Sequence, residues 1–344
     1  MNIPESGPIA LVRIRAFRLC EHLVLLLVAV LRMMGLSVRI RRMEDYILPE
    51  MIKSGFVAVM GKPNVGKSTL INALLRQKVA AVSPRPQTTR KRQMGILTLQ
   101  DAQIIFIDTP GVHKPRHKLG ESMNQHALET LQDCDLILLI VDASSEPDEE
   151  DRMLAAAIQQ LNRSLTTVIA LNKIDKLEAE LVDQREAAYL ELVPQAMPIT
   201  ISATRGDNLD ILLKEIIELL PTGPAYFPND QVTDLYEREI AADLIREAAL
   251  HLLRDEIPHG IAIRIDQFTE RNEHGAYIEA TIFVERESHK GIVIGEGGSM
   301  LKQIGSSARK EIEAMSGRKV FLRLRVKVRK NWRNDEKVLR WFGF

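Results

Sequence analysis

The sequence predicts two unlike domains in series: a doubly wound α/β domain on a mostly parallel sheet, then a smaller α+β domain. Three observations carry this. From Gly55 onward, short apolar runs alternate with stretches of helical length. A segment rich in proline and glycine, Pro221-Thr-Gly-Pro-Ala-Tyr-Phe-Pro228, then breaks the alternation. Beyond it the order becomes helix, strand, strand, glycine-rich loop, helix and basic strand. The chain has 344 residues, enough for two ordinary domains, and 45% hydrophobic with 27% charged residues excludes a disordered, collagen-like or disulfide-built protein. Two cysteines, Cys20 and Cys134, form no CxxC pair, which argues against a thiolate zinc site and fits a reducing cytosol.

In chain order, residues 1–50 read as an extension, 51–221 as the first domain, 222–233 as a linker and 234–344 as the second domain. Within the extension, residues 23–31 form an apolar run too short to span a bilayer, which needs about 20 residues. Three readings fit it: a start codon placed too early, with Met43 as the true start, a basic interfacial helix, or a signal or anchor. In the first domain the expected strands are 56–60, 93–99, 104–107, 136–141, 167–171 and 197–201. The expected helices are 68–75, 121–131, 149–161, 180–192 and 209–220. Runs such as Leu-Ile-Leu-Leu-Ile-Val at 136–141 are apolar on both faces, as a central parallel strand requires. In the second domain a helix is expected near 235–253 and strands near 260–267 and 276–285.

The formal net charge is zero, from 46 basic and 46 acidic residues, and taken alone it argues against a nucleic-acid partner. The zero is an average. Residues 1–42 hold seven arginines against Glu5 and Glu21, a balance of +5, and residues 290–344 hold fourteen Lys and Arg against five acids, a balance of +9. The stretch between therefore carries −14. Parts so different in charge are built for different partners.

Gly61-Lys62-Pro63-Asn64-Val65-Gly66-Lys67-Ser68, followed by Thr69, fits G-x-x-x-x-G-K-[ST] between an expected strand and an expected helix. Such a loop turns backbone N–H groups and a helix N-terminus toward phosphate. Lys67 then reaches the β- and γ-phosphates and the Ser68 hydroxyl holds Mg²⁺. Asp108-Thr109-Pro110-Gly111 ends the run 104–107. There a carboxylate can hold Mg²⁺ through water, and the Gly111 N–H can sense a γ-phosphate. Alone this is a common turn, and its place after the phosphate loop gives it meaning. Asn172-Lys173-Ile174-Asp175 ends the run 167–171. The Asp175 carboxylate can accept from guanine N1–H and N2–H₂, a pair adenine lacks. Asn172 can meet the base's other edge and brace the phosphate loop, and the Lys173 stem can cover the base plane. Ser202-Ala203 follows the next strand, where a backbone N–H can meet guanine O6. Between the first two motifs lies Gln87-Thr88-Thr89-Arg90. A hydroxyl there can close over Mg²⁺, with Thr89 the first choice and Thr88 the second. The plainer reading is a polar loop in which neither matters. Arg85, Arg90 and Arg92 read as solvated.

In the second domain, Gly295-Glu296-Gly297-Gly298 is a GxxG after Ile294, and it opens a helix whose apolar stripe is Leu301, Ile304, Ala308, Ile312 and Met315. Lys302, Arg309 and Lys310 fall off that stripe. Leu322, Leu324, Val326 and Val328 then alternate with Arg323, Arg325, Lys327 and Arg329, giving a strand with one buried and one basic face. A GxxG loop beside a basic strand is how a KH domain clamps four nucleotides. A small α+β domain with a solvated basic strand fits equally well, and the residues alone leave both open. Trp332 reads as a packing residue.

Taken together, GKPNVGKS, QTTR, DTPG, NKID and SAT in this order resemble the translation-factor-related GTPases, and more narrowly the Era family. The resemblance runs from about Ser54 to the C-terminus and leaves out residues 1–42. It implies a GTP/GDP-binding P-loop domain using Mg²⁺, followed by a type II KH domain. It also implies binding near the 3′ end of 16S ribosomal RNA, a part in 30S subunit maturation, and a monomer. Two departures matter. Val112 stands where many signalling GTPases carry a water-orienting glutamine, so slow intrinsic hydrolysis is expected. Relatives use a P-loop asparagine, here Asn64, to help bind a K⁺ ion in place of an arginine finger. The other departure is Glu296, an acid in a loop where relatives often have a base. Two further readings remain: a membrane-associated regulatory GTPase anchored through residues 23–31, peripheral on the inner face of the cytoplasmic membrane, and a non-catalytic GTP-bound RNA chaperone.

Overall fold

The computed structural model describes residues 51–344 except 79, 83–88, 116, 162–164, 234–236 and 273–274. Expectations for the N-terminal extension, Arg85 and Thr88 lie outside the described residues.

The first domain is a sheet with helices on both faces. Its strands are β1 (Ile52–Met60), β2 (Gln93–Thr98), β3 (Ala102–Asp108), β4 (Leu136–Asp142), β5 (Thr167–Asn172) and β6 (Met197–Thr200), in the spatial order β2-β3-β1-β4-β5-β6. All neighbours are parallel except β2, which pairs antiparallel with β3 at the edge. The helices are α1 (Lys67–Leu75), α2 (Lys118–Asp133), α3 (Glu149–Gln159), α4 (Val182–Leu190) and α5 (Leu209–Leu219). α1 and α5 bury Leu70, Ile71, Leu212 and Ile216 against Val57, Phe106 and Leu138 on one face. α2, α3 and α4 bury Leu131, Leu154 and Tyr189 against Ala58, Ile107 and Leu139 on the other. Every residue of β3 is buried, as strands covered on both sides must be. Cys134 is buried and its thiol donates to the Leu131 carbonyl at 3.6 Å.

This winding aligns the carboxyl ends of β1, β3, β5 and β6 at one rim of the sheet, where ligands bind in open α/β folds. The phosphate loop, the segments 108–111 and 172–175, and Ser202-Ala203 each follow one of those ends, while the segment 87–90 precedes β2.

Residues 222–233 do not hang free between domains. A two-residue strand, β7 (Thr222–Gly223), pairs antiparallel with the start of β1. The Gln103 side chain accepts from the Tyr226 and Phe227 amides (2.6 and 2.9 Å) and donates to Phe227 O (2.8 Å). Ile96 N donates to Val232 O at 2.7 Å, and Tyr226 packs edge-on against Phe56. The segment is strapped to the first domain.

The second domain comprises α6 (Glu237–Leu252), β8 (Ala262–Asn272), β9 (Gly275–Val284), α7 (Glu287–Ile294), α8 (Ser299–Ser316), β10 (Lys319–Val328) and α9 (Glu336–Phe342). Its sheet has the order β10-β9-β8, with β8 antiparallel and β10 parallel to β9. α6, α7 and α8 cover one face, burying Leu244, Ala248, Val293, Ile304 and Ala308 against Ile278, Ala280, Ile282 and Val320. α7, α9 and β7 go beyond the sequence expectations, and β8 extends past residue 267 through a polar hairpin end. Among the described residues no helix is long and apolar enough to cross a membrane.

Candidate nucleotide pocket and nucleic-acid interface

β1 delivers the chain into the loop 61–68, and α1 begins at Lys67. Gly66 is its N-cap with φ 106°, a left-handed conformation that favours glycine. A Cβ there would lie 2.3 Å from Asn172 Nδ2, so the loop also needs glycine for space. No side chain caps α1, which leaves its first N–H groups for an anion. Asn64 is exposed with φ 66°, a region asparagine tolerates better than most residues. Val65 is buried in the core beneath.

Lys67 is buried, and its ammonium donates to Gly61 O at 3.0 Å and Lys62 O at 2.9 Å. A lysine has three donors, so one remains for a phosphate oxygen. Burial pushes its pKa down to about 8, against the pull of Asp108. Ser68 Oγ, Thr89 Oγ1 and Asp108 Oδ2 form a closed triangle with edges of 2.9, 2.9 and 3.0 Å. Asp108 Oδ1 is buried with no hydrogen-bond partner. Burial raises the Asp108 pKa, opposed by Lys67 and the two hydroxyls. Two hydroxyls and one carboxylate, whose second oxygen is unsatisfied, make an all-oxygen set, the donor chemistry Mg²⁺ takes beside phosphate. Ser68, Thr89 and Asp108 therefore fit Mg²⁺. When bound, the ion would supply neutralising charge on the β- and γ-phosphate oxygens.

Gly111 closes the same cavity: a Cβ on it would sit 2.7 Å from Pro63 N. Any side chain there would push the two phosphate-facing loops apart. Thr69 also lines this cavity. Thr109 turns away, its hydroxyl donating to Val59 O at 2.8 Å, and it acts on the fold. Val112, next after Pro110-Gly111, is buried among Phe56, Ala58 and Ile107 and faces no water.

At the guanine end, Asn172 Nδ2 donates to Val65 O at 2.7 Å, and its Oδ1 accepts from Ala203 N at 2.9 Å. One side chain thus ties the phosphate loop to the Ser202-Ala203 turn. Both ends of the amide serve that brace, and of the backbone donors expected near guanine O6 at Ser202-Ala203, the Ala203 N–H points at Asn172. Lys173 lies with φ 66° and pairs with Asp142 at 2.5 Å, which lays its stem along the rim. Asp175 is exposed, not buried, and Ser202 Oγ donates to its Oδ1 at 2.6 Å.

Two residues behave unlike the sequence reading. Lys62 sends its ammonium to Asp148 and Asp151, each at 2.7 Å, at the capped start of α3. Burial alone would lower its pKa, and those hydrogen bonds outweigh it. Two of its three donors are thereby spent on α3. Arg90 is not solvated: it is 4% exposed and reaches into the second domain. Its Nη1 donates to Ile261 O at 2.7 Å and its Nη2 to His259 O at 2.9 Å, with the guanidinium 5.6 Å from the Trp332 ring centre. Burial, then the charges of Arg246 and Arg333, press its pKa well below the usual arginine range. Trp332 is fully buried and donates to Gly260 O at 3.0 Å.

In the second domain, Gly295, Gly297 and Gly298 all have positive φ (73°, 57° and 82°), and a Cβ on Gly297 or Gly298 would meet nothing within 4 Å. The loop is thus tightly wound yet open to solvent. Gly298 is the N-cap of the 18-residue α8, and no side chain caps that terminus. Glu296 is exposed at the tip, Ile294 half-buried, and Lys302 exposed on the first turns of α8. Arg323, Arg325 and Lys327 are exposed on β10, on the sheet face opposite the helices.

The phosphate loop, the oxygen triangle and the Asn172 brace, on a doubly wound sheet, define a P-loop GTPase joined to a GxxG-bearing α+β domain. The sequence profile of the 50S ribosome-binding GTPase family matches residues 56–173, and that of the KH domain matches residues 256–333. The chain is 46% identical over 295 residues to GTPase Era of Heliobacterium modesticaldum, covering 86% of this chain and 98% of that protein. It is 44% identical over 293 residues to GTPase Era of Alkaliphilus metalliredigens, covering 85% and 99%. A solved structure of Era with MgGDPNP and nucleotides 1506–1542 of 16S ribosomal RNA is similar at TM-score 0.81 and 41% identity, over 85% of this chain and 99% of that one. This chain belongs to the Era family of GTPases.

Proposed function

We propose that this protein is a GTP-hydrolysing switch in the cytoplasm that binds the 3′-terminal region of 16S ribosomal RNA through its KH domain and assists maturation of the 30S subunit. The observation that carries the switch is the dipeptide Thr89-Arg90. Thr89 belongs to the oxygen triangle that fits Mg²⁺, and the next side chain is fastened to backbone carbonyls of the KH domain. A change in one must strain the other. The second nucleotide-sensing segment ends the same way. Leu119 and Met123 at the start of α2, just after Gly111, pack with Trp332, Val338, Leu339 and Phe342 of the KH domain.

Within the pocket, Lys67 and the α1 N-terminus hold the phosphates, Asn172 fixes the two loops around the base, and Asp175 selects guanine. Val112 orients no water, so intrinsic hydrolysis is slow and Asn64 is the candidate partner for a K⁺ ion. Titrating the full chain with the 16S fragment 1506–1542, loaded with GDPNP or with GDP, tests the reading. Tighter binding with GDPNP is expected. Equal affinities would remove the switch, and no binding in either state would remove the RNA partner.

A further inference from the structure

The KH sheet has a face that a GxxG clamp does not use. α6, α7 and α8 cover one side, and the glycine loop lies between α7 and α8 on that side. On the other side, Phe321 of β10 is 62% exposed. It stacks on its register partner Tyr277 of β9, with ring centres 5.6 Å apart and planes 10° apart. The next rungs place Glu279 opposite Arg323 and Thr281 opposite Arg325. Glu279 accepts from the Tyr277 hydroxyl at 3.0 Å and lies 2.7 Å from Arg325 and 3.9 Å from Arg323. The arginine side chains remain 55% (Arg323) and 45% (Arg325) exposed, and exposed Lys319 and Lys327 bracket the row. α9 covers only the far end of this face, where Phe342 meets Phe283.

An exposed phenylalanine buries little and so contributes little to the fold. Four exposed cations and Arg264 stand against Glu279 and Asp266, a surplus that attracts a polyanion, and the flat aromatic pair offers a π-face to any base. Single-stranded RNA combines the two. We propose that this outer face is a second RNA-contact surface, on which unpaired bases stack on Phe321 and Tyr277 while phosphates meet Arg323 and Lys319. The proposal rests on the RNA-binding reading above and extends it to the opposite side of the sheet. Glu279 is the organiser, holding the Tyr277 hydroxyl and Arg325 in one arrangement. β10 is an edge strand and α8 packs on its inner side, Gly305 against Leu324. A strand leaving the glycine loop therefore rounds this edge to reach Phe321.

The test uses the full chain with GDPNP and two single-stranded RNAs from the 16S 3′ region. One is a tetranucleotide that fills the loop, the other about three times as long. Phe321→Ala should weaken the longer RNA about tenfold and leave the tetranucleotide unchanged. Phe321→Trp should keep the wild-type affinity, and unchanged thermal unfolding of both variants reports the fold. Equal binding of the longer RNA by wild type and Phe321→Ala overturns the proposal and leaves the face to a protein partner. Equal loss for both RNAs also overturns it, because the variant then acts on the clamp. A wild-type chain that binds neither RNA removes the RNA-binding reading itself.

Discussion

The two sheets of this protein use their strands in opposite ways. In the GTPase domain β3 is buried throughout and its function sits at the strand's end, where Asp108 meets Ser68 and Thr89. In the KH domain β10 alternates between inward and exposed residues, and its candidate function lies along the strand. A site at strand ends is compact, dry and held by a few braces, so single substitutions there should act steeply. A site along a face is wet and shared among many cations, so single substitutions should act shallowly. Net charge follows the same division: zero overall, it is the sum of an acidic middle and basic ends.

The largest effect expected is at Lys67. Lys67→Ala removes the buried donor from the phosphates and should lower GTP turnover on the order of 100-fold or more, read as phosphate release at saturating GTP. RNA affinity without nucleotide should not move. A loss of both would erase the separation between the two sites.

Gly298→Asp comes next. It forces a side chain into a left-handed position and adds a negative charge at the N-terminus of α8. RNA binding should fall about tenfold or more, while GTP affinity stays at the wild-type value. Unaltered RNA affinity would refute the clamp assignment.

Arg90→Ala attacks one of the places where the two domains are joined. It leaves the carbonyls of His259 and Ile261 without their donor and should cost about 1–3 kcal/mol of stability. More tellingly, it should shrink the difference in RNA affinity between the GDPNP and GDP states, by a factor of a few up to about thirty. If that difference survives while the protein is destabilised, the nucleotide signal travels through α2 or the strap at 222–233 instead.

That joint was also the part least legible in the sequence. The phosphate loop, DTPG and NKID are local motifs that announce themselves, and continuous apolar runs such as β4 mark central strands without ambiguity. The missed features depend on partners far away in the chain. Arg90 read as solvated because its acceptors lie about 170 residues on. Lys62 read as a pocket residue because its carboxylates lie 86 and 89 residues on. α9 has a capping aspartate, Asp335, whose side chain accepts from Lys337 N and Val338 N. Yet its apolar face packs against Leu119 and Met123 of the other domain as well as Phe283 and Trp332 of its own. Alternation in β10 gave the basic face, but alternation could not tell that this face looks away from the glycine loop.

A subtler distinction concerns Asn64. If the compact pocket is completed by a bound K⁺, GTP turnover should be faster in K⁺ than in Na⁺ at equal ionic strength, and Asn64→Ala should abolish the difference. Equal rates in the two salts would leave Asn64 with only its left-handed backbone role in the loop.

The smallest effect expected is a pH dependence confined to the GTPase pocket. Burial holds the Lys67 pKa near 8 in the nucleotide-free protein. Phosphate oxygens favour the charged amine, so binding raises that pKa and takes up a proton where the free lysine is neutral. The sign follows: GTP affinity is full below pH 8 and declines as the pH rises through and above it. Calorimetric titrations in buffers of different ionisation enthalpy would read the uptake directly, near zero at pH 7 and rising toward one proton above pH 8. Lys67→Arg, which keeps its charge throughout this range, should flatten the profile even if it binds more weakly. RNA affinity, resting on a separate surface, should show no such step. A parallel step in RNA affinity would mean that the Lys67 charge is felt across the Thr89-Arg90 joint, and the two regions would then titrate as one.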